Sequence, residues 1–193
     1  GLRQQDFRYR GMMTHLQGKG MIGFRQTARS SWYISGVETN KIWSGAEIDP
    51  LNEGLPIKEW SIKTNNETQI FPTDLSINNS QLLSFKQTTY QTDVLANGIK
   101  AIIPIQNTTK DFLKDVTTIN TIAYDAYYLP EQTNSSVNNG FATSITYINY
   151  LSNPSGSGKD YYIGRPLFKI EDITAYGDTC LLYTSPSPRD RTR

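Results

Sequence analysis

The chain has 193 residues and a formal net charge of +1, and no stretch approaches eighteen consecutive apolar residues, so the sequence predicts no membrane-spanning helix. A charge so close to zero gives no electrostatic reason to expect contact with nucleic acid or with an anionic membrane. One histidine and one cysteine do not supply a zinc site of ordinary composition, so no metal is expected.

The first pattern along the chain is GKGMIGF, Gly18 to Phe24, which has the G-x-G-x-x-G spacing of a phosphate-binding turn. A dinucleotide-binding enzyme needs a buried strand before this motif and an amphipathic helix after it. The next residues, FRQTARSSWYI, favour a strand, so no helix N-terminus is expected to hold a pyrophosphate. We therefore expect Gly18, Gly20 and Gly23 to let the backbone turn tightly and neighbouring strands pack closely.

Segments in which apolar and polar residues alternate recur along the chain and predict β-strands. They are MIGFRQTAR, PIKEWSIKT, LLSFKQTTY, KAIIPIQ, FATSITYINY and DYYIGRPLFKI. Turn-forming residues separate them, and Asn97-Gly98 and Asn139-Gly140 tolerate the positive φ angles of two-residue hairpin turns. One segment, Thr109 to Ile119, has the spacing of a short helical turn. The sequence thus predicts an all-β fold of antiparallel hairpins with no long internal linker.

Candidate catalytic groups are few and scattered. The only histidine, His15, stands beside apolar residues, which is typical of a packed or exposed histidine rather than of a catalytic one. Acidic residues at positions 49–59 and 171–178 have no spacing that distinguishes a pair for glycoside hydrolysis from solvated turn residues. We therefore expect no enzymatic activity, no catalytic residues and no cofactor.

The last fourteen residues, CLLYTSPSPRDRTR from Cys180 to Arg193, change abruptly to Pro, Ser and Arg. They resemble the conceptual translation of a transposase-type sequencing adapter, so we expect this segment to be non-native and disordered. Without it, 16 Lys and Arg stand against 17 Asp and Glu, a net charge of −1, and no cysteine remains. Because the chain also begins at Gly1 rather than at methionine, we expect residues 1–179 to be an internal fragment of a longer protein.

Two segments near the ends of this fragment resemble bacterial Rhs/YD-repeat proteins. YRGMMTHLQGKGMIGFRQ, Tyr9 to Gln26, is similar to a part of that family in which a tyrosine-containing strand, a polar turn and a G-[RK]-G-x-x-G-F element follow one another. The same part occurs in the B components of insecticidal toxin complexes. DYYIGRPLFKIEDITAYGDT resembles a later strand of these proteins, with Gly164, Arg165 and Pro166 in its core.

Between these segments, TIAYDAYYLP and then NNGFATSITYINY resemble one degenerate YD repeat. Tyr124 and Asp125 supply the dipeptide, Gly140 the turn glycine, and Tyr147 with Tyr150 the closing strand. Two features depart from the family pattern. The glycine that commonly comes soon after the Asp is absent, and residues 65–81 match no recognised part of the family.

The resemblance implies an antiparallel β-hairpin ribbon that forms part of a large hollow shell. It also implies a non-catalytic role for this segment in a secreted or cell-surface bacterial toxin protein, where the shell encloses a C-terminal toxin domain and helps to deliver it. The implied partners are the rest of the shell and the enclosed toxin domain. The residues expected to matter structurally are Gly18, Gly20, Gly23, Phe24, Tyr124, Asp125, Gly164, Arg165 and Pro166.

A second hypothesis is a surface adhesin or a carbohydrate-binding β-sandwich. In that case Trp32, Trp43 and Trp60 would form a platform on which sugar rings stack. Packing within a sheet is the other interpretation of the three tryptophans, and it is the one we favour.

Overall fold

The computed structural model describes residues 2–16, 18, 20–38, 40–158 and 160–184, and these form strands with two short 3-10 turns, Glu67–Gln69 and Asn138–Gly140. No helix in this part of the chain is long and apolar enough to cross a membrane. The strands are β1 (Arg3–Gln4), β2 (Phe7–His15), β3 (Gly20–Ser30), β4 (Tyr33–Ile34), β5 (Ile42–Asp49), β6 (Leu55–Lys63), β7 (Leu82–Val94), β8 (Lys100–Asp111), β9 (Val116–Tyr124), β10 (Pro130–Val137), β11 (Ala142–Asn153), β12 (Tyr162–Ala175) and β13 (Asp178–Thr184).

Eleven of these strands form one antiparallel sheet in which the strand order follows the chain from β2 to β13. The two remaining strands, β1 and β4, pair with each other. Strands β2 and β13 are the edges of the large sheet. The prediction of an all-β antiparallel fold is confirmed.

Turns between paired strands form at both predicted Asn-Gly positions, but the connecting loops have five residues (95–99) and four residues (138–141) rather than two. Gly98 has a φ of 79° and lies between β7 and β8, where its N–H donates to the Leu95 carbonyl at 2.8 Å. Asn139 and Gly140 have φ angles of 55° and 93° and lie between β10 and β11. Such left-handed positions suit asparagine and glycine because the steric cost of positive φ is small for them.

The chain divides into two compact units. The first contains Gly1–Thr89 and Asn107–Thr117, and the second contains Tyr90–Gln106 and Thr118–Arg193. The boundaries fall within strands β7, β8 and β9 rather than in a linker, so the strands themselves pass from one unit to the other.

The first unit contains all the fully buried apolar side chains among the described residues. Two rows of paired residues cross strands β3, β5, β6 and β7. The rows are Ala28, Gly45, Trp60 and Phe85, and Ser30, Trp43, Ile62 and Leu82. Directly opposed residues of an antiparallel sheet share a face, so these rows form one apolar face.

Residues 64–81, which we call the covering segment, supply the rest of this core. Ile70, Phe71 and Leu75 are 1%, 6% and 7% exposed. The indole N–H of Trp60 donates to the Ile70 carbonyl at 3.1 Å, and that of Trp43 donates to the Thr64 carbonyl at 3.1 Å. These bonds satisfy the only polar atoms of the two buried indoles. The part of the sequence that matched no recognised pattern therefore completes the core.

Gly45 provides the space in which the Trp60 ring lies. A Cβ atom on Gly45 would lie 2.3 Å from two atoms of the indole, a distance that the packed structure cannot accept. The two residues face each other directly in the register of β5 and β6. The position therefore requires glycine because the ring occupies the volume of a side chain.

Two predicted features differ from the structure. Thr109 to Ile119 forms the end of β8, a turn and the start of β9, not a helical turn. The Asp111 carboxylate accepts N–H bonds from Leu113 and Lys114 at 3.0 and 3.1 Å, and Asp115 has a φ of 51°, so this local pairing reverses the chain. Phe112 packs partly against the core, whereas Leu113 is 78% exposed.

The expected disorder from Cys180 onward does not hold for its first five residues. Cys180–Thr184 continue β13, which pairs with β12 from Ala175↔Asp178 to Lys169↔Thr184. The rings of Phe168 and Tyr183 stack with their centroids 6.0 Å apart. Backbone pairing, this aromatic contact and a hydrogen bond between the hydroxyls of Thr174 and Thr179 at 3.0 Å hold the strand here although every side chain of β13 is exposed. Residues 185–193 lie outside the described part of the chain.

Replacing Gly45 by valine should lower the free energy of unfolding by about 1–3 kcal/mol, since the new side chain must displace the Trp60 indole. Urea denaturation followed by tryptophan fluorescence measures this, because Trp43 and Trp60 lie in the affected core. Ser44→Val is the matched control: the neighbouring side chain is exposed, and its replacement should change the free energy by less than about 0.5 kcal/mol. Equal stability of the two variants would refute the packing described for Gly45.

Candidate functional site

The glycine element lies in the hairpin of β2 and β3. Gly18, Gly20 and Gly23 all have positive φ, at 97°, 72° and 137°, and nothing lies within 4 Å of the Cβ position of any of them. Each glycine is therefore required by its own backbone conformation and not by close approach of a neighbouring strand: Gly18 and Gly20 lie at the hairpin turn, and Gly23 lies in β3 beside a shift in the register with β2. The neighbouring Gln17 and Lys19 lie outside the described residues. The residues after the motif continue strand β3, as the sequence predicted, whereas a dinucleotide site needs a helix there.

Phe24 has a packing role within this hairpin. Its ring centroid lies 4.9 Å from that of Tyr9, on the neighbouring strand β2, with the ring planes tilted by 33°. Met12 is the residue directly opposite Phe24, so the aromatic contact is diagonal across the two strands. Such pairs stabilise a sheet by a fraction of a kcal/mol, on the order of 0.2–1 kcal/mol.

Tyr124 and Asp125 form the start of the turn that joins β9 to β10. The Asp125 carboxylate accepts the N–H groups of Tyr127 and Leu129 at 2.8 and 2.9 Å. The Asp125 N–H donates to the Leu129 carbonyl at 2.9 Å, and its carbonyl accepts from Tyr128 at 3.1 Å. One aspartate therefore takes part in all four of these bonds, two through its side chain and two through its main chain.

Tyr128 occupies the left-handed position of this turn. Its φ of 60° is left-handed, which costs a tyrosine about 1–2 kcal/mol. The equivalent position of the turn between β7 and β8 is Gly98, and both turns close with the same pair of backbone bonds. The Tyr128 side chain also interacts with its surroundings, because burial and the nearby Asp93 carboxylate raise the pKa of its hydroxyl.

Gly164 lies against the same turn. A Cβ atom on Gly164 would be 2.7 Å from Cδ1 of Leu129, the last residue of the turn, and Gly164 has a φ of 79°. Its N–H donates to Oγ of Ser152 at 3.2 Å, next to an irregularity in the pairing of β11 and β12. Both the conformation and the space at this position require glycine.

Two tyrosine hydroxyls hold two hairpins at the ends opposite their turns. Tyr124 on β9 donates to the Pro104 carbonyl on β8 at 2.7 Å, and Tyr150 on β11 donates to the Pro130 carbonyl on β10 at 3.0 Å. We call these bonds the tyrosine clamps. Burial raises the pKa of both hydroxyls, and the Asp125 carboxylate raises that of Tyr150 further, so both stay protonated as donors at neutral pH.

The clamps repeat with a fixed spacing. Each tyrosine follows its proline by 20 residues, and the second pair follows the first by 26 residues. Residues 124–130 thus carry the donor of one clamp, the Asp125 turn and the acceptor of the next. Pro166 lies opposite Tyr150 in the register of β11 and β12, and Arg165 lies opposite Leu151.

The structure groups the predicted residues into two sets. Asp125 and Gly164 both contact Leu129 in the second unit, and Tyr124 lies opposite Pro130, the next residue. Pro166 belongs to the same set through its pairing with Tyr150, whose hydroxyl binds the Pro130 carbonyl. Gly18, Gly20, Gly23 and Phe24 belong to the first unit. The sequence analysis did not identify Tyr128 and Leu129 as structurally important. The absence of a glycine in YDAYYLP was the signal that a non-glycine residue had to adopt the left-handed conformation there.

The polar groups of this site are used to hold the backbone. In the described part of the chain no group of three or more His, Cys, Asp and Glu side chains could hold a metal ion. The carboxylate and the two hydroxyls at the motif positions all bind main-chain groups at 3.0 Å or less. The arrangement fixes strand ends and turn geometry relative to one another.

Solved toxin-complex structures share this fold. The crystal structure of TcdB2-TccC3 without its hypervariable C-terminal region superposes on 91% of this chain with a TM-score of 0.60 and 8% sequence identity. That of TcdB2-TccC3-Cdc42 superposes on 89% with a TM-score of 0.60 and the same identity. This chain spans 12% of the length of each matched chain. No protein-family model matches the sequence, and no curated protein matches it either.

Gly164→Ala should reduce the free energy of unfolding by about 2–3 kcal/mol, because the added methyl group meets Leu129 and alanine disfavours positive φ. Combining it with Leu129→Ala removes the clash but leaves the φ cost, so the two changes should couple by about 1 kcal/mol. Urea denaturation followed by circular dichroism of the four proteins of this cycle gives the coupling. Strict additivity of the two substitutions would show that the Leu129 side chain does not determine the need for glycine at position 164.

Proposed function

We propose that this chain is a structural, non-catalytic segment of the shell of a bacterial Rhs/YD-repeat toxin protein. In this role it forms part of the wall that encloses a C-terminal toxin domain and helps to deliver it. The observation that carries the proposal is the order of the large sheet, in which eleven strands lie side by side in the order in which they occur along the chain.

The clamped hairpins of the second unit support this role. Its described residues contain no apolar side chain as buried as those of the first unit, so turn bonds and tyrosine clamps contribute much of the order there. Such a segment can be lengthened by adding hairpins, because each hairpin contacts mainly its neighbours in the chain. The 26-residue recurrence of the clamps fits a repeated unit of this kind.

The likeness to TcdB2-TccC3 supports the same assignment at the level of fold. It extends over nine tenths of this chain and about one eighth of the matched chains, which is the relation expected of one segment of a long wall. The motif GKGMIGF and the Tyr124-Asp125 turn add a sequence resemblance to Rhs/YD-repeat proteins. The partners proposed from it are the remainder of the shell and the enclosed toxin domain, in a secreted or surface-exposed protein.

The carbohydrate-binding alternative is not favoured by the positions of the tryptophans. Trp43 and Trp60 are 2% and 3% exposed and their N–H groups are bound to main-chain carbonyls, whereas Trp32 is 63% exposed. Three rings that stack on a sugar must face the solvent together. A platform built from these three residues is therefore ruled out by burial, and packing accounts for two of them.

Limited proteolysis of the longer protein that we propose for this chain tests whether the wall encloses the C-terminal domain. Its C-terminal domain should resist a protease under native conditions, because the wall separates it from solvent. The same domain expressed alone is the control and should be cut rapidly. Equal cutting rates for the enclosed and the isolated domain would contradict the proposed function.

A further inference from the structure

A cavity of about 440 Å³ opens beside the core of the first unit, between the sheet and the covering segment. Its polar side is a row of directly paired residues, one from each of the strands β2, β3, β5 and β6. They are Arg10, Gln26, Glu47 and Lys58. Its apolar side is formed by Phe71 and its neighbours in the covering segment. A volume of this size is typical of sites for small ligands or for a few side chains of a partner.

One part of this cavity is already neutralised. Glu47 is 7% exposed. Its Oε1 atom accepts hydrogen bonds from Nη2 and Nε of Arg25 at 2.9 and 3.0 Å, and its Oε2 atom accepts one from the side-chain amide of Gln26 at 3.2 Å. The pairing of β3 with β5 ends at Gln26↔Glu47, and Arg25 is the next residue of β3 beyond that end. A buried carboxylate is stable when a cation and hydrogen-bond donors surround it in this way.

Two further cations in the cavity have no acidic partner among the described residues. The Arg10 guanidinium lies over the Phe71 ring, with Cζ 4.8 Å from the ring centroid, and this contact does not use its N–H groups as donors to an acid. Lys58 lies on β6 directly opposite Glu47. With Glu47 and Arg25 paired, the lining of the cavity retains two positive charges next to apolar surface.

We propose that this cavity binds a carboxylate group flanked by apolar atoms, with Arg10 and Lys58 as its ligands. A planar guanidinium binds a carboxylate through two parallel N–H bonds, and an ammonium adds a third contact. Inorganic phosphate has no apolar atoms to contact Phe71 and Leu75 in the same cavity, so it should bind more weakly than a carboxylate that carries them. The carboxylate could come from an acidic side chain of a polypeptide or from a free organic acid, and this site is independent of the shell function proposed above.

Calorimetric titration of the 193-residue chain tests this site with N-acetyl-Leu-Glu-Leu-amide, its Gln counterpart, succinate and inorganic phosphate. The glutamate peptide or succinate should bind saturably, and the Gln peptide should not. Arg10→Gln and Lys58→Gln should each weaken binding by about tenfold, the loss expected for one charge-assisted hydrogen bond. Lys63→Gln, an exposed position on the same strand β6, removes an equal charge outside the cavity and should leave binding unchanged.

If the glutamate peptide binds more tightly than succinate, the natural source of the carboxylate is a polypeptide segment. If succinate binds more tightly, the natural source is a free organic acid. Absence of saturable carboxylate binding, tighter binding of phosphate, or equal losses in all three variants would each overturn the proposal. Circular dichroism of the variants confirms that they are folded. Both substituted positions reach solvent, so neither is expected to disrupt the core.

Discussion

The Asp125 carboxylate fixes the turn on which the order of the second unit depends. By accepting two backbone N–H groups it holds residues 125–129 in one conformation, and this places Tyr124 and Pro130 at the entrance and exit of the turn. Tyr124 donates the clamp of the preceding hairpin and Pro130 accepts the clamp of the next. One short turn thus couples two hairpins, and Gly164 leaves room for its last residue, Leu129.

The first unit is stabilised in a different way. There the sheet has an apolar face, and the covering segment seals it with Ile70, Phe71 and Leu75. The Trp60 indole is central to this contact because it lies over Gly45 on one side and binds the Ile70 carbonyl on the other. The burial of each isoleucine, leucine or phenylalanine side chain is worth roughly 1.5–3 kcal/mol, so a small number of residues can stabilise this unit.

Much of the regular structure could be predicted from the sequence. Alternation revealed the strands, and the Asn-Gly pairs revealed two turns, because both signals are local. The covering segment could not be recognised, since its three buried apolar residues follow neither a helical nor a strand period. The contact between Leu129 and Gly164 also escaped prediction because it joins residues 35 positions apart.

Local signals gave a wrong prediction at residues 112–116. There the apolar spacing fits a helical turn as well as a hairpin, and the bonds made by Asp111 determined that a hairpin forms. At residues 180–184 the change in composition predicted disorder, but backbone pairing with β12 outweighed the side-chain pattern and formed a strand.

If these hairpins form one stretch of a continuous wall, electron cryo-microscopy of the proposed longer protein should show it. We expect β2 to β13 to lie in a closed shell, with additional strands of the same protein paired to both edges of the sheet. A map in which these strands form a separate module with solvent at both edges would contradict it.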